Sequence, residues 1–351
     1  MDYERFKEGF QDALKVELAV RGADVELTAR RVDKMNDSYD AITVRPVDSS
    51  IGVNISVEKA FAAYENGTPI PEIAEHFADA VEKGFRESPQ VDLESLSDYE
   101  QMKSKLSMEV VSAEKNAELL ESVPHERMED MAVVYRFVLD QTDSGNGTIL
   151  VTNQLLDQYG ITKEQLRADA MENAPEIRPS EIRGMSEVMS ELAPGMIPEV
   201  APEDEQRFVA TVPDKIHGAG VIAYPNFMED AAQKMGGDFF VLPSSIHEVL
   251  LVKDNGQMTA KELENMVKEV NATQVEPADQ LTDHVYHYDS QNHIFELADK
   301  YEERQREAEH DAPDKDSVLG DLKEKKQEIA KKDPAKDAAT KAATKKHEAS
   351  L

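Results

Sequence analysis

Apolar residues Tyr3, Phe6, Phe10, Ala13, Leu14 and Leu18 recur at three- and four-residue spacings, the stripe of an amphipathic helix, and Gly22 is placed to end it. The period then shortens to two. Val25, Leu27 and Ala29 alternate with polar residues, as do Ile42 and Val44 after the turn-like Asn36-Asp37-Ser38, and then Ile51, Val53, Ile55 and Val57. Such alternation predicts three strands of a sheet with one wet face. Two helices follow: 58–65, stopped by Asn66-Gly67, and a second from near Pro71 with Ile73, Phe77, Val81 and Phe85 as its stripe. Helix and strand patterns compete over 95–123, where Leu119 and Leu120 close a helix before Pro124.

Residues 131–139 are nearly all apolar and read as a central strand buried on both faces. Residues 143–147 then turn it into a partner at 148–151. Thr162 and Gln165 form a capping box on a helix to about 173, and Ile182, Met185, Met189 and Leu192 mark another, its methionines read as packing. Prolines 194, 198 and 202 among acids predict an exposed connection. Beyond it the pattern gives strands near Val209 and at 220–224, a helix at 226–235, and strands at 239–242 and 249–252. A helix capped by Thr259 and Glu262 packs through Leu263, Met266, Val267 and Val270; a strand at 285–288 and a helix from about Ile294 end the series. The expected class is α+β: an N-terminal helix and mostly antiparallel, mixed sheet regions with flanking helices. It divides into portions 1–123 and 124–305, sharing one core or standing apart, and a charged tail 306–351.

Composition adjusts this picture. Hydrophobic residues make up 40% of 351, enough for a sizeable core. Cysteine is absent, which excludes a disulfide scaffold, a thiolate metal site and a cysteine nucleophile. The start is charged from its second residue, and no apolar run approaches the ~20 residues of a bilayer span, so a cytoplasmic location is expected. Residues 1–299 carry 58 acidic against 26 basic side chains, whereas 300–351 hold 13 of each, so the whole net charge of -32 sits on the body. A body of this sign repels nucleic acid. Its plain role is solubility; its sharper role is that of an acidic decoy occupying a basic, nucleic-acid-binding partner. Past about 305 aromatics vanish, and Val318, Leu319, Leu322 and Ile329 form at most a transient helix. Nine lysines against four acids between Lys323 and Lys346 suit a solubilising tail or a weak tether to nucleic acid or membrane.

Several stretches carry a resemblance. They are Ile55-Ser56-Val57-Glu58, Tyr64-Glu65-Asn66-Gly67, Asn116-Ala117-Glu118-Leu119-Leu120, Val123-Pro124-His125, Met131-Ala132-Val133-Val134-Tyr135 and Val151-Thr152-Asn153. The most distinctive are Gly218-Ala219-Gly220-Val221-Ile222-Ala223-Tyr224-Pro225 and Leu242-Pro243-Ser244-Ser245-Ile246-His247-Glu248-Val249. Over most of 1–300 the chain resembles an uncharacterised bacterial domain of unknown function met in gut anaerobes, often in genomes rich in mobile elements. Its C-terminal half is also similar to a broader uncharacterised bacterial family. The resemblance implies no catalytic residues.

Chemistry concentrates in Pro243-Ser244-Ser245-Ile246-His247-Glu248, between two apolar strands. Serine, histidine and a carboxylate within six residues suggest a hydrolase, its site completed from a distance by His125 or Asn153. Against this, no G-x-S-x-G elbow is present, and Ser245-x-x-Glu248 matches a helix capping box, the reading preferred for it. His284, His287 and His293 cluster in sequence, but residues three apart on a strand face opposite ways, so no metal is expected. His217 stands in a loop beside Gly218-Ala219-Gly220, which precedes its predicted strand and so lies on the wrong side for a dinucleotide fingerprint; no cofactor is expected. The preferred function is a non-enzymatic accessory protein acting on another protein, and the alternative is a hydrolase at Ser244–Glu248.

Overall fold

Asp2 accepts a hydrogen bond from the Arg5 N–H and so caps α1 (Tyr3–Val20). The computed structural model describes residues 1–311 except 35, 50–51, 88–92, 143–144 and 197–199. The stripe predicted for α1 is the one it buries: Phe6, Phe10, Leu14 and Leu18. β1 (Val25–Lys34), β2 (Asp37–Pro46) and β3 (Val53–Ser56) form an antiparallel three-stranded sheet. Ile42, Val44 and Ile55 face its core while Thr43 and Asn54 bond to each other on the wet face. α2 (Val57–Glu65) and α3 (Ile70–Glu87) close this first layer, with Ile73, Ala74, Ala78 and Val81 buried.

The ambiguous stretch resolves into short pieces. α4 (Leu93–Leu96), α5 (Tyr99–Met102) and a single 3-10 turn lead into β4 (Leu106–Ser112), a fully buried strand, and α6 (Ala117–Ser122). β5 (His125–Met128) and β6 (Met131–Thr142) follow, then β7 (Gly145–Leu150). β6 is central: β4 pairs along one edge, while β5 and β7 share the other. The expected hairpin between β6 and β7 is present, but residues 143–144 at its turn lie outside the described residues.

Beyond α7 (Asn153–Tyr159) and α8 (Lys163–Ile177), three expectations need correction. Ile182 belongs to a strand, β8 (Glu181–Gly184), before α9 (Met185–Leu192). After β9 (Arg207–Thr211), the expected strand at 220–224 is a 3-10 turn, Gly218–Ala223. α10 (Phe227–Met235), β10 (Phe239–Leu242), β11 (Val249–Lys253), α11 (Ala260–Thr273) and β12 (Tyr286–Asp289) lie close to expectation. The helix expected from Ile294 starts later, because β13 (Ile294–Leu297) first pairs with β12; α12 (Ala298–Asp311) follows. The methionine reading also changes, since α9 buries none of its residues and leaves Met189 and Leu192 exposed. The capping box at Thr259 and Glu262 forms in both directions. At Thr162 only half forms: the hydroxyl accepts from the Gln165 N–H, while the Gln165 side chain bonds Asp169.

β8 to β13 make a six-stranded antiparallel sheet in the order β13-β12-β10-β11-β9-β8. Its inner face (Phe208, Phe239, Val241, Leu251, Tyr286) meets Met108, Val110, Val133, Tyr135 and Phe137 of the β4–β7 sheet in the largest hydrophobic cluster. α6 covers the opposite face of the second sheet, and α11 covers part of the outer face of the third. Met1–Ala298 form one unit and Asp299–Leu351 another, and the tail from residue 312 lies outside the described residues.

Candidate functional site

β4 is an edge strand, and the 3-10 turn lies along it. Gly220 makes this possible, because a Cβ there would overlap the Met108 carbonyl oxygen. Gly218 is equally confined by the Thr211 hydroxyl and the His247 carbonyl. Those two groups bond to each other at 2.8 Å, and the Ala219 N–H donates to the Ile246 carbonyl at 3.1 Å. The segment 243–248 is held on its other side by 279–282: Ile246 N–H to Asp279 O, Leu281 N–H to Ser244 O and Thr282 N–H to Pro243 O. The two most distinctive stretches of sequence are therefore one structural assembly.

No helix follows Ser245, so the expected capping box is absent and β11 begins at Val249 instead. With its backbone bridged to Gln280, the segment runs as an extended connection that cannot turn into a helix. The Ser245 hydroxyl accepts from the His247 N–H at 3.0 Å, a local turn of two residues. The hexapeptide also parts its side chains. Ser244 and Glu248 line a groove on the outer face of the sheet, while His247 turns toward the edge of β4.

A chain of polar side chains gathers at that edge. Glu109, on β4, is 3% exposed, and its carboxylate accepts from Arg136 Nε at 2.6 Å. His217 Nδ1 lies 3.0 Å from the other oxygen, too poorly aligned for a directed hydrogen bond. Burial pushes the Glu109 carboxyl up, but His217 and Arg136 together hold it below its ordinary value. The His217 N–H donates to His247 Nδ1 at 3.1 Å, which makes Nε2 the protonated nitrogen of a neutral His247 ring. That Nε2 faces Asp279, 3.4 Å away.

The loop before the turn is clamped and strained. Arg178, 7% exposed, donates to Asp214 at 2.6 Å and to the Ile216 carbonyl, while Lys215 and His217 hold φ of +56° and +53°. Tyr224 donates to the Arg178 carbonyl at 3.0 Å, and its burial is the main reason its phenol is pushed up to about 12. At the rim, the Asn36 side chain at the β1–β2 turn donates to the carbonyls of Ala278 and Gln280.

The remaining sequence candidates lie elsewhere. His125 opens β5, and its Nδ1 lies 3.1 Å from the Val123 carbonyl. Asn153 heads α7 and donates to the Glu121 carbonyl at 3.1 Å. His284, His287 and His293 go to three separate carboxylates: Asp130, Asp254 and Glu229. Among the described residues no three His, Cys, Asp or Glu side chains gather as metal ligands. Sequence reasoning missed Glu109, Arg136, Arg178 and Asp279. The available signal was a lone carboxylate within the apolar run Met108-Glu109-Val110-Val111.

The groove that receives Ser244 and Glu248 has a volume of about 160 Å³. Its walls are Met185 of α9, Val209 and Leu250 of the sheet, and Met266 and Val270 of α11. Met185 also borders a neighbouring polar hollow of about 350 Å³.

Compared with known families, residues 3–290 match the family of unknown function DUF5688. The chain belongs to that family. No curated protein and no solved structure matches it. The DUF5688 span takes in the Glu109–His217–His247–Asp279 chain and the groove, and ends before β13 and α12. No helix among the described residues is long and apolar enough to cross a membrane.

Proposed function

We propose that this protein is a non-enzymatic accessory protein that acts by binding another protein, one of basic character. The observation that carries the reading is the commitment of His247. Its Nδ1 accepts a backbone N–H and its Nε2 faces Asp279, so neither nitrogen is directed at the Ser245 hydroxyl, which itself accepts from a backbone N–H. A hydrolase needs its base within hydrogen-bond reach of the nucleophile. With 58 acidic against 26 basic residues in 1–299, long-range attraction selects basic partners and disfavours nucleic acid and anionic lipid. The same reading treats 1–123 and 124–305 as sharing one core, since the β4–β6 pairing crosses residue 123. It also places the protein in a bacterial cytoplasm, in the gut-anaerobe setting that the resemblance implies.

The test immobilises the full chain and compares capture from native lysate at low and moderate salt, with Ser245→Ala in parallel. The expected result is a stoichiometric basic partner, released by salt and retained by Ser245→Ala. A partner indifferent to salt removes the electrostatic basis. Hydrolysis in an ester and peptide substrate screen that Ser245→Ala abolishes would restore the enzyme alternative.

A further inference from the structure

Resting on the binding reading, we propose that the groove between α9 and α11 is the docking surface, and that its occupant is a basic amphipathic helix of the partner protein. The argument begins with what α9 fails to bury. None of its residues is buried; Leu192 is 76% exposed, and past the helix Met196 is 81% exposed. A monomer gains nothing in stability from such residues, and clustered exposed apolar side chains mark interaction surfaces. On α9, Met189 and Leu192 stand four and seven residues after Met185 and so share its helix face, and Met185 walls the groove together with Leu250, Met266 and Val270.

Size restricts what enters. Pockets for drug-sized ligands run to roughly 300–1,000 Å³. A groove of about 160 Å³, partly open to solvent, suits the anchoring side chains of a larger partner. Methionine walls are polarisable and adapt to irregular apolar stripes, the usual chemistry of helix-in-groove recognition.

Charge selects among helices. Between Gly184 and Arg207 the described residues include five acids and no lysine or arginine, and exposed Glu248 stands at the rim of the groove. Arg183 engages Glu187 and Glu191, and buried Glu205 accepts from Ser186, while Arg207 and Lys253 border the neighbouring hollow. Lys215 adds a further positive charge near Glu191, so the excess that selects a basic helix is that of the body as a whole. The body of a second copy would bring the same sign and be repelled. A lysine-flanked apolar stripe satisfies both the groove and the field around it.

The experiment uses the full chain with methyl-labelled methionine, titrated with a synthetic amphipathic helix of leucine and lysine. Controls are a peptide of the same composition with its stripe scrambled, and one with glutamate for lysine. The methyl signals of Met185, Met189 and Met266 should shift, while those of core Met108 and Met131 stay fixed. Met189→Glu with Leu192→Glu should weaken binding about tenfold although it adds negative charge. Met266→Gln on α11 should do the same, which guards against a merely local disturbance of α9. If the scrambled peptide binds equally and the variants are neutral, the groove assignment fails while the basic-partner reading stands. If no basic peptide binds even at low salt, that reading itself fails.

Discussion

A single buried carboxylate organises the candidate site. Glu109 is held below its ordinary 4.5 despite complete burial, because Arg136 and His217 outweigh the cost of desolvation. A depressed carboxyl contributes stability that is fully present above the ordinary value and lost as pH falls through the lower, folded value. Asp130 and Asp254, also lowered, act in the same direction. Glu109→Gln should therefore cost about 3–5 kcal/mol at neutral pH, the scale of breaking a buried pair. Urea denaturation should show the gap between variant and wild type narrowing as pH falls below 4.5. A gap that stays constant with pH would mean that Glu109 acts through packing alone. The hexapeptide was visible in sequence and Glu109 was not, because a carboxylate within an apolar run discloses its role only when its partners arrive from more than twenty residues away.

At the scale of elements, periodicity carried most of the fold. The stripes of α1 and α3, the alternation of β1 and β2 and the apolar run of β6 emerged as predicted, since one local pattern meets one continuous burial surface. The third strand is shorter than its pattern, because Val57 already opens α2, and Ile51 lies outside the described residues. It failed where tertiary packing overrides a pattern. β4 mixes Ser107, Glu109 and Ser112 into a buried strand, and 220–224 reads as a strand although most of it coils into the 3-10 turn that lies on β4. Gly220→Ala tests that cause. With its Cβ driven into the Met108 carbonyl, the variant should lose about 1–3 kcal/mol or more. Gly9→Ala is the contrast: it lies inside α1 with Ile70 Cδ1 3.8 Å from the new Cβ, so helix propensity should add about 0.5–1 kcal/mol. Thermal unfolding of the two should move in opposite directions; movement in the same direction would discredit the packing account of the glycine motif.

The whole molecule is governed by charge that no single contact discharges. Exposed ion pairs such as Lys103–Glu100 or Arg167–Glu126 contribute little each and weaken in salt. Repulsion among the unmatched acids of 1–299 also weakens in salt, and here the acids exceed the bases by 32. The second effect should win. Raising ionic strength from about 0.01 M to 0.15 M shortens the screening length from roughly 30 Å to 8 Å. Repulsion between distant acids then fades, while pairs within 4 Å keep much of their attraction. The melting temperature of the full chain should rise across that range, measured by calorimetry in sodium chloride. A fall would mean that paired charges dominate. The acidic excess would then already be neutralised within the folded body, which would weaken the case that it attracts a basic partner.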